Sequence, residues 1–234
     1  MKNLNIFSLT SEYDSAKSEG VLNKPNVSFI NEDSSVRYLD IDPYNGYEYV
    51  DLGLPSGLKW ARCNVGATSP EQAGLYFAWG ETKGYTAEQV TAGERVFSLS
   101  VYSSGPAASI AKDLSPADGN DAARVNLGGN WRMPTKDEYQ ELIDNCNVMW
   151  TNDYNGTKVS GRLFTSKVNG KWVFFPAAGR CDGSSDNKVG LIGRFWSASW
   201  NSSSHAWGFR FYTRDVNVRD EDRSYGFAVR GVCE

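Results

Sequence analysis

The chain has 234 residues, 40 % of them hydrophobic and eight of them tryptophan, enough to bury a sizeable core and to exclude a disordered chain. A net charge of −4 with no long run of one sign gives no footprint for nucleic acid or for an anionic membrane surface. Cys63, Cys146, Cys181 and Cys233 stand far apart with no CxxC pair, and His205 is the only histidine, so metal-ligand spacing is missing and neither a metal nor a cofactor is expected.

Residues 1–45 are rich in Ser, Asn, Glu, Asp and Lys, with Pro25 and Pro43 as breakers and two weakly alternating pieces, 26–30 and 35–39. They read either as an N-terminal extension that tethers or oligomerises the chain, through sister copies or a virion assembly, because they cannot build a core alone, or as a floppy leader. The start is too short and too polar for a secretory h-region, and no later stretch approaches eighteen apolar residues. The expectation is a protein made in the cytoplasm without membrane insertion, its cysteines buried as free thiols.

From Gly46 onward the patterning sharpens. Tyr47 to Leu52 and Leu58 to Val65 alternate as strands around the turn Gly53-Leu54-Pro55-Ser56-Gly57, and Ser69-Pro70 reads as the entry to a short helix. Residues 82–119 turn to Ser, Ala, Gly and Pro with little period and read as an insertion of surface loops. Thr135-Lys136-Asp137-Glu138 is a capping box, and Tyr139, Leu142, Ile143 and Cys146 then make one apolar helical stripe. Asn169-Gly170 between two β-rich runs signals a hairpin, and the closing strand around Tyr225 to Val232 is expected beside Tyr47 to Leu52.

The segment from Arg194 to Arg230 alternates large apolar residues with small or polar ones. In Trp207 to Tyr212 and Val216 to Arg219 the period is two, which assigns Gly208, Arg210, Tyr212, Asn217 and Arg219 to an outer face. Every cation after Lys188 is an arginine, glutamine and methionine are missing, and Glu221 is the segment's only glutamate. Small polar residues suit turns and edge strands, which explains part of this composition. Tyr, Arg, Ser, Asn and Gly are also what contact surfaces use, as rigid rings, forked donors and adaptable hydrogen bonding.

Tyr49 to Gly57, Gly66 to Glu71, Tyr76 to Glu81, Gly128 to Thr135, Pro176 to Gly179, Phe195 to Ser199 and Tyr225 to Arg230 occur in an order that resembles the Fibrobacter succinogenes major paralogous domain family. The likeness covers residues 46–234. It implies an α+β, C-type-lectin-like fold related to formylglycine-generating enzymes, with two short helices packed on small antiparallel sheets and adjacent N- and C-terminal strands. The stretch from about 194 to 225 also resembles the variable region of a diversity-generating retroelement target, of the kind carried by gut Bacteroides and their phages. There, adenine-directed copying turns asparagine codons into Ser, Asp, His, Tyr, Arg, Gly, Thr or Ala, never into Lys, Gln, Met, Trp or Glu. By that rule Trp196, Trp200, Trp207 and Glu221 are framework.

The resemblance implies a ligand-binding protein with no catalytic residues, recognising a protein or glycan receptor on a target cell. Absence of a leader favours a phage tail over a bacterial surface adhesin. The binding face is expected to comprise Arg194, Asn201, Ser202, Ser203, Ser204, His205, Gly208, Arg210, Tyr212, Arg214, Asp215, Asn217, Arg219, Asp220 and Asp222. Asp215, Asp220, Glu221 and Asp222, alternating with Arg214, Arg219 and Arg223, read as an Asp/Arg ladder rather than a calcium site. The rivals are an oxidase or other enzyme on the same scaffold and a structural virion or fimbrial part. Cys181 and Cys233 match no oxidase motif.

Overall fold

The computed structural model describes residues 26–30, 36–40 and 42–234. The chain splits into a small unit ending at Asp42 and a larger one from Pro43 to Glu234. In the first, β1 (Asn26–Ile30) pairs antiparallel with β2 (Val36–Asp40). The tethering or oligomerising role expected of residues 1–45 falls largely outside the described residues.

Four further sheets follow. One has the order β16-β5-β4-β3, built from β3 (Asp42–Tyr44), β4 (Tyr47–Asp51), β5 (Lys59–Asn64) and β16 (Arg230–Cys233). A meander joins β7 (Cys146–Thr151), β8 (Gly161–Ser166) and β9 (Trp172–Pro176). A small hairpin pairs β10 (Arg180–Asp182) with β11 (Ser185–Asn187). The largest sheet contains β6 (Tyr76–Phe77), β12 (Gly193–Trp200), β13 (His205–Phe211), β14 (Val216–Asp222) and β15 (Phe227–Ala228), in the order β14-β13-β12-β15-β6.

Strands make up 36 % of the structure and helices 17 %, which corrects the expected α+β, C-type-lectin-like fold to a mostly-β architecture of several open sheets. Four α-helices are present among the described residues rather than two, and no feature of the topology is specific to a C-type lectin fold. The expectation rested on a likeness of sequence motifs, and motifs do not dictate which strands pair. The terminal strands are not adjacent either. β5 lies between β4 and β16, with Val50 and Val232 both opposite Trp60.

Local chemistry explains the elements that form. Thr135 accepts the Glu138 N–H while the Glu138 carboxylate accepts the Thr135 N–H, and the helix Lys136–Asn145 starts there. Gly170 takes φ +71° between β8 and β9, the left-handed position that the Asn169-Gly170 pair signalled. No helix starts at Ser69-Pro70. Ser69 Oγ bonds to Glu71 and the chain turns, because Gly74, at φ +74°, stops any helix within a turn.

The core lies between the helix Lys136–Asn145, the β7–β9 meander, the β5/β4/β16 strands and one face of β12–β13. Tyr139 stacks on Phe209 at 4.6 Å and 6°, while Phe175 meets Phe195 and Phe209 edge-on at 5.1 and 5.5 Å. Each fully buried ring of this kind stabilises by roughly 1.5–3 kcal/mol relative to exposure. Arg230 runs through the same region, fully buried, donating to Asn64 Oδ1 and to the carbonyls of Ala61 and Phe174 at 2.8–2.9 Å. Burial lowers its guanidinium to about 10.

Residues 82–119 are not only surface loops. They hold the helices Ala87–Thr91 and Leu99–Ser103, capped by Thr86 and Ser98, and two 3-10 turns. Val90, Phe97, Tyr102 and Ala107 from this stretch pack with Tyr76, Ala78 and Cys181 into a core of their own.

Candidate functional site

The strands β12, β13 and β14 are the hairpins on which the expected binding residues lie. Phe195 pairs with Phe209 and Phe209 with Val218, so these residues share the face turned to the core. Arg194 pairs with Arg210 and Arg210 with Asn217, and Gly208 sits opposite Arg219, which places all five on the other face. His205, opposite Asp222, and Trp207, opposite Asp220, alternate with that set and so belong to the ring side of the sheet. Lys136 lies over the Trp207 ring there, at 4.8 Å.

The remaining candidates occupy two loops at opposite ends of β13. Asn201 to Ser204 connect β12 to β13, and Tyr212 to Asp215 connect β13 to β14. Seven residues of strand put the loops about 20 Å apart. Each loop closes on itself through the main chain: Ser202 N–H donates to His205 O at 2.9 Å, and Tyr212 N–H donates to Asp215 O at 2.8 Å.

Each loop is also gripped by a buried arginine. Arg223, fully buried, donates Nη1 to the Ser203 carbonyl at 3.0 Å and Nη2 to Ala107 O at 2.6 Å, with its guanidinium 4.5 Å from the Trp79 ring centre and 5.4 Å from that of Tyr102. The Tyr102 hydroxyl donates to Trp79 O and Ala107 O, and burial pushes it up to about 12 against the pull of Arg223. Arg162, on β8, donates Nε and Nη2 to the Tyr212 carbonyl at 3.0 and 2.7 Å, and burial lowers its guanidinium. The segment 82–119 is therefore a buttress for the first loop, supplying Tyr102 and Ala107, and Asp113, which accepts the Trp200 N–H at 2.7 Å.

On the outer face the two directly opposed guanidinium groups, Arg194 and Arg210, would repel each other without a counter-charge. Glu221 supplies it. Its Oε2 lies against Arg194 Nη1, and its Oε1 is 4.0 Å from Arg210 Nη1. Arg194 also lies over Phe227 at 5.5 Å and Arg210 over Tyr212 at 5.0 Å. The Arg194–Glu221 contact is close without being aligned as a hydrogen bond. Arg194 Nε and Nη1, Arg210 Nε, Asn217 Oδ1 and Glu221 Oε1 are buried atoms with no hydrogen-bond partner.

Ser203, Ser204, Arg214, Asp215, Arg219 and Asp220 are exposed. Asn201, Ser202, His205, Arg210, Tyr212, Asn217 and Asp222 are half-buried. Arg194 and Gly208 are buried and form the floor of the face rather than its rim. The expected Asp/Arg ladder is corrected: Glu221 alone of the four carboxylates pairs with arginine, Asp222 accepts from Ser224 N–H and Oγ, and Asp215 is held by Asn217. Arg223 turns inward because its partners are main-chain carbonyls. Arg162 escaped the sequence reading, since nothing local separates it from a solvated arginine on an alternating strand.

Ser204 Oγ and His205 Nδ1 lie 2.8 Å apart, but the carboxylate opposite His205, that of Asp222, is engaged by Ser224. No group of three His, Cys, Asp or Glu side chains able to hold a metal occurs among the described residues. All four cysteines are free, with burial raising Cys63, Cys146 and Cys233. A cavity of about 370 Å³ lies elsewhere, lined by Glu48, Arg62, Cys63 and Thr68 among others, and includes none of the candidate residues.

Residues 150–232 match a family model described as a domain of unknown function, DUF8237. The matched stretch takes in both hairpins and both arginine anchors. No curated protein and no solved structure matches the chain.

Proposed function

We propose that this chain is a ligand-binding protein whose β12–β14 face and flanking loops recognise a protein or glycan receptor on a target cell, as a phage tail receptor-binding protein or adhesin does. The observation that carries the reading is the way the loops are held. Arg162 and Arg223 grip carbonyl oxygens of Tyr212 and Ser203, atoms that persist whatever side chains stand there. A contact surface built this way can change its residues while keeping its shape, which is what a diversified binding region requires. Of the framework residues of the adenine rule, Trp196 is fully buried and Glu221 lies against Arg194, while Trp200 and Trp207 are half-buried.

The test is a library of the full chain in which Ser203, Ser204, Tyr212, Arg214 and Arg219 are randomised together. Most members should resist proteolysis like the parent, while their binding to a panel of intact bacterial cells redistributes. If the library members unfold, or bind every strain as the parent does, the reading fails. The neighbouring DNA offers an independent check: a reverse transcriptase gene and a near-copy of the codons for Arg194 to Arg230 that differs only at adenines.

A further inference from the structure

Asparagine followed by glycine occurs three times in the chain, at 45–46, 155–156 and 169–170. Such a pair is chemically labile, because glycine has no Cβ to shield its main-chain nitrogen, and that nitrogen can close a five-membered ring on the asparagine amide carbon. Closure needs both ends released. An amide or an N–H engaged in hydrogen bonds must give them up first.

At Asn169 both ends are held. Its Nδ2 donates to Asp51 O at 3.0 Å, its Oδ1 accepts the Lys171 N–H at 3.0 Å, and the Gly170 N–H donates to Ser166 O at 3.1 Å. At Asn45 the amide end is held. Its Nδ2 donates to Leu127 O at 2.6 Å and lies so close to Gly128 that a Cβ there would meet it at 2.8 Å. Asn155, in the loop between β7 and β8, is different. Among the described residues neither its side-chain amide nor the Gly156 N–H has a hydrogen-bond partner. Both residues are exposed, with open space beside Gly156.

We propose that Asn155 is a site of spontaneous deamidation in the folded protein, with water as the co-reactant. The Gly156 nitrogen attacks Asn155 Cγ and gives up its proton, the Cγ–Nδ2 bond breaks, and ammonia leaves with that proton. Water then adds to one of the two carbonyl carbons of the resulting succinimide, the ring C–N bond at that carbon breaks, and aspartate or isoaspartate is left at 155. Either product puts a carboxylate where a neutral amide stood, on a loop that already carries Asp153 and a chain whose net charge is −4. The loop is fastened without Asn155. The Thr157 N–H and Oγ1 donate to Tyr154 O at 3.0 and 2.6 Å, the Lys158 N–H donates to Asp153 Oδ1 at 2.7 Å, and the buried Tyr154 ring stacks on Phe174 at 3.9 Å. Asn155 and Gly156 are the central residues of that turn, at φ +50° and +77°. Aspartate adopts this left-handed backbone much as asparagine does, so the aspartyl product keeps the turn. Isoaspartate lengthens the main chain there and loosens the Thr157–Tyr154 closure.

Ageing the folded full chain in neutral buffer, with peptide mass spectrometry reading acid formation at each of the three asparagines, tests the assignment. Asn155 should convert at least about tenfold faster than Asn169 or Asn45, tenfold in rate being the equivalent of about 1.4 kcal/mol of hydrogen bonding that the held amides must give up. In guanidinium chloride the three rates should converge, because the shared Asn-Gly pair is then all that acts. Isoaspartyl methyltransferase should label the aged parent and leave an aged Asn155→Gln variant largely unlabelled, while Asn155→Asp should melt with the parent. Conversion at Asn155 no faster than at Asn169 in the folded chain, a rate ratio that survives denaturation, undiminished labelling of Asn155→Gln, or an Asn155→Asp variant that melts below the parent would each overturn the site.

Discussion

The two faces of β12 and β13 are held in different ways. On one, Phe195, Phe209 and Phe211 are fully buried against Tyr139, Phe164 and Phe175. On the other, Arg194 and Arg210 lean on a single carboxylate, and buried donors are left without partners. The first face stabilises through area and shape, so each ring depends on its neighbours. The second carries Trp196 and Ala206, fully buried with Phe77, Trp79 and Phe227 in another core, beside the buried Arg194–Glu221 pair, so only its exposed members, Arg219 and the loop residues, can be exchanged at little cost. Both sides of these strands are therefore packed, and the exchangeable positions are confined to the rim and the two loops.

The sharpest way to break this contrast is Phe209→Ala, which opens a cavity among five rings and should cost about 3–5 kcal/mol by chemical denaturation. A loss below about 1 kcal/mol would show that the ring side is not the stabilising one. Arg223→Leu comes next, at about 2–4 kcal/mol, because the Ser203 carbonyl loses its side-chain donor and the Ala107 carbonyl its charged one, keeping only Tyr102 and the Ile110 N–H. Amide exchange at Ser202 to His205 should accelerate in that variant, whereas loop anchoring by side chains alone would leave it unchanged.

A smaller effect, about 1 kcal/mol, is expected where pH acts on the helix covering the ring side. Burial alone would raise the Glu138 carboxyl, but the Arg132 guanidinium and the Thr135 N–H hold it below the ordinary range. Its contribution is present above the ordinary glutamate range and is lost as pH falls through the depressed value. Asp121 has the opposite sign. Burial raises it despite N–H donors from Arg124 and Met133, so its contribution is present in acid and lost as pH rises through the raised value. The readout is therefore the difference between Glu138→Gln and the parent across an acid titration of the melting temperature. That difference should shrink as pH falls.

Least of all should change on the outer rim. Arg219→Ser and Ser203→Tyr are expected within about 0.5 kcal/mol of the parent in denaturant melts. A larger loss at either would mean that the rim is a structural part rather than a contact surface.

Local chemistry made some of this legible. A capping box at Thr135 and an Asn-Gly turn at 169–170 each require only a few neighbouring residues, and both stand in the structure, whereas the alternation read through β13 does not hold for burial, since Gly208 and Ala206 are buried and Trp207 is half-buried. The helix beginning at Ala87 was legible too, since Thr86 and Gln89 form a second capping box inside what reads as loop. Long-range pairing was not. Arg230 bonds to Asn64, 166 residues earlier, and Arg223 to Ala107, 116 residues earlier. No local pattern distinguishes these buried arginines from Arg219, whose side chain meets water. The division of the candidate residues between two faces and two distant loops follows from strand register, which the alternation fixes only within each strand.

The carbonyl grip at Tyr212 and Ser203 also bears on substitution. Because Arg162 and Arg223 hold main-chain oxygens, a replacement at position 203 or 212 leaves the gripped atoms in place, so the cost of such a change is set by the new side chain's own surroundings and not by the loss of the anchor.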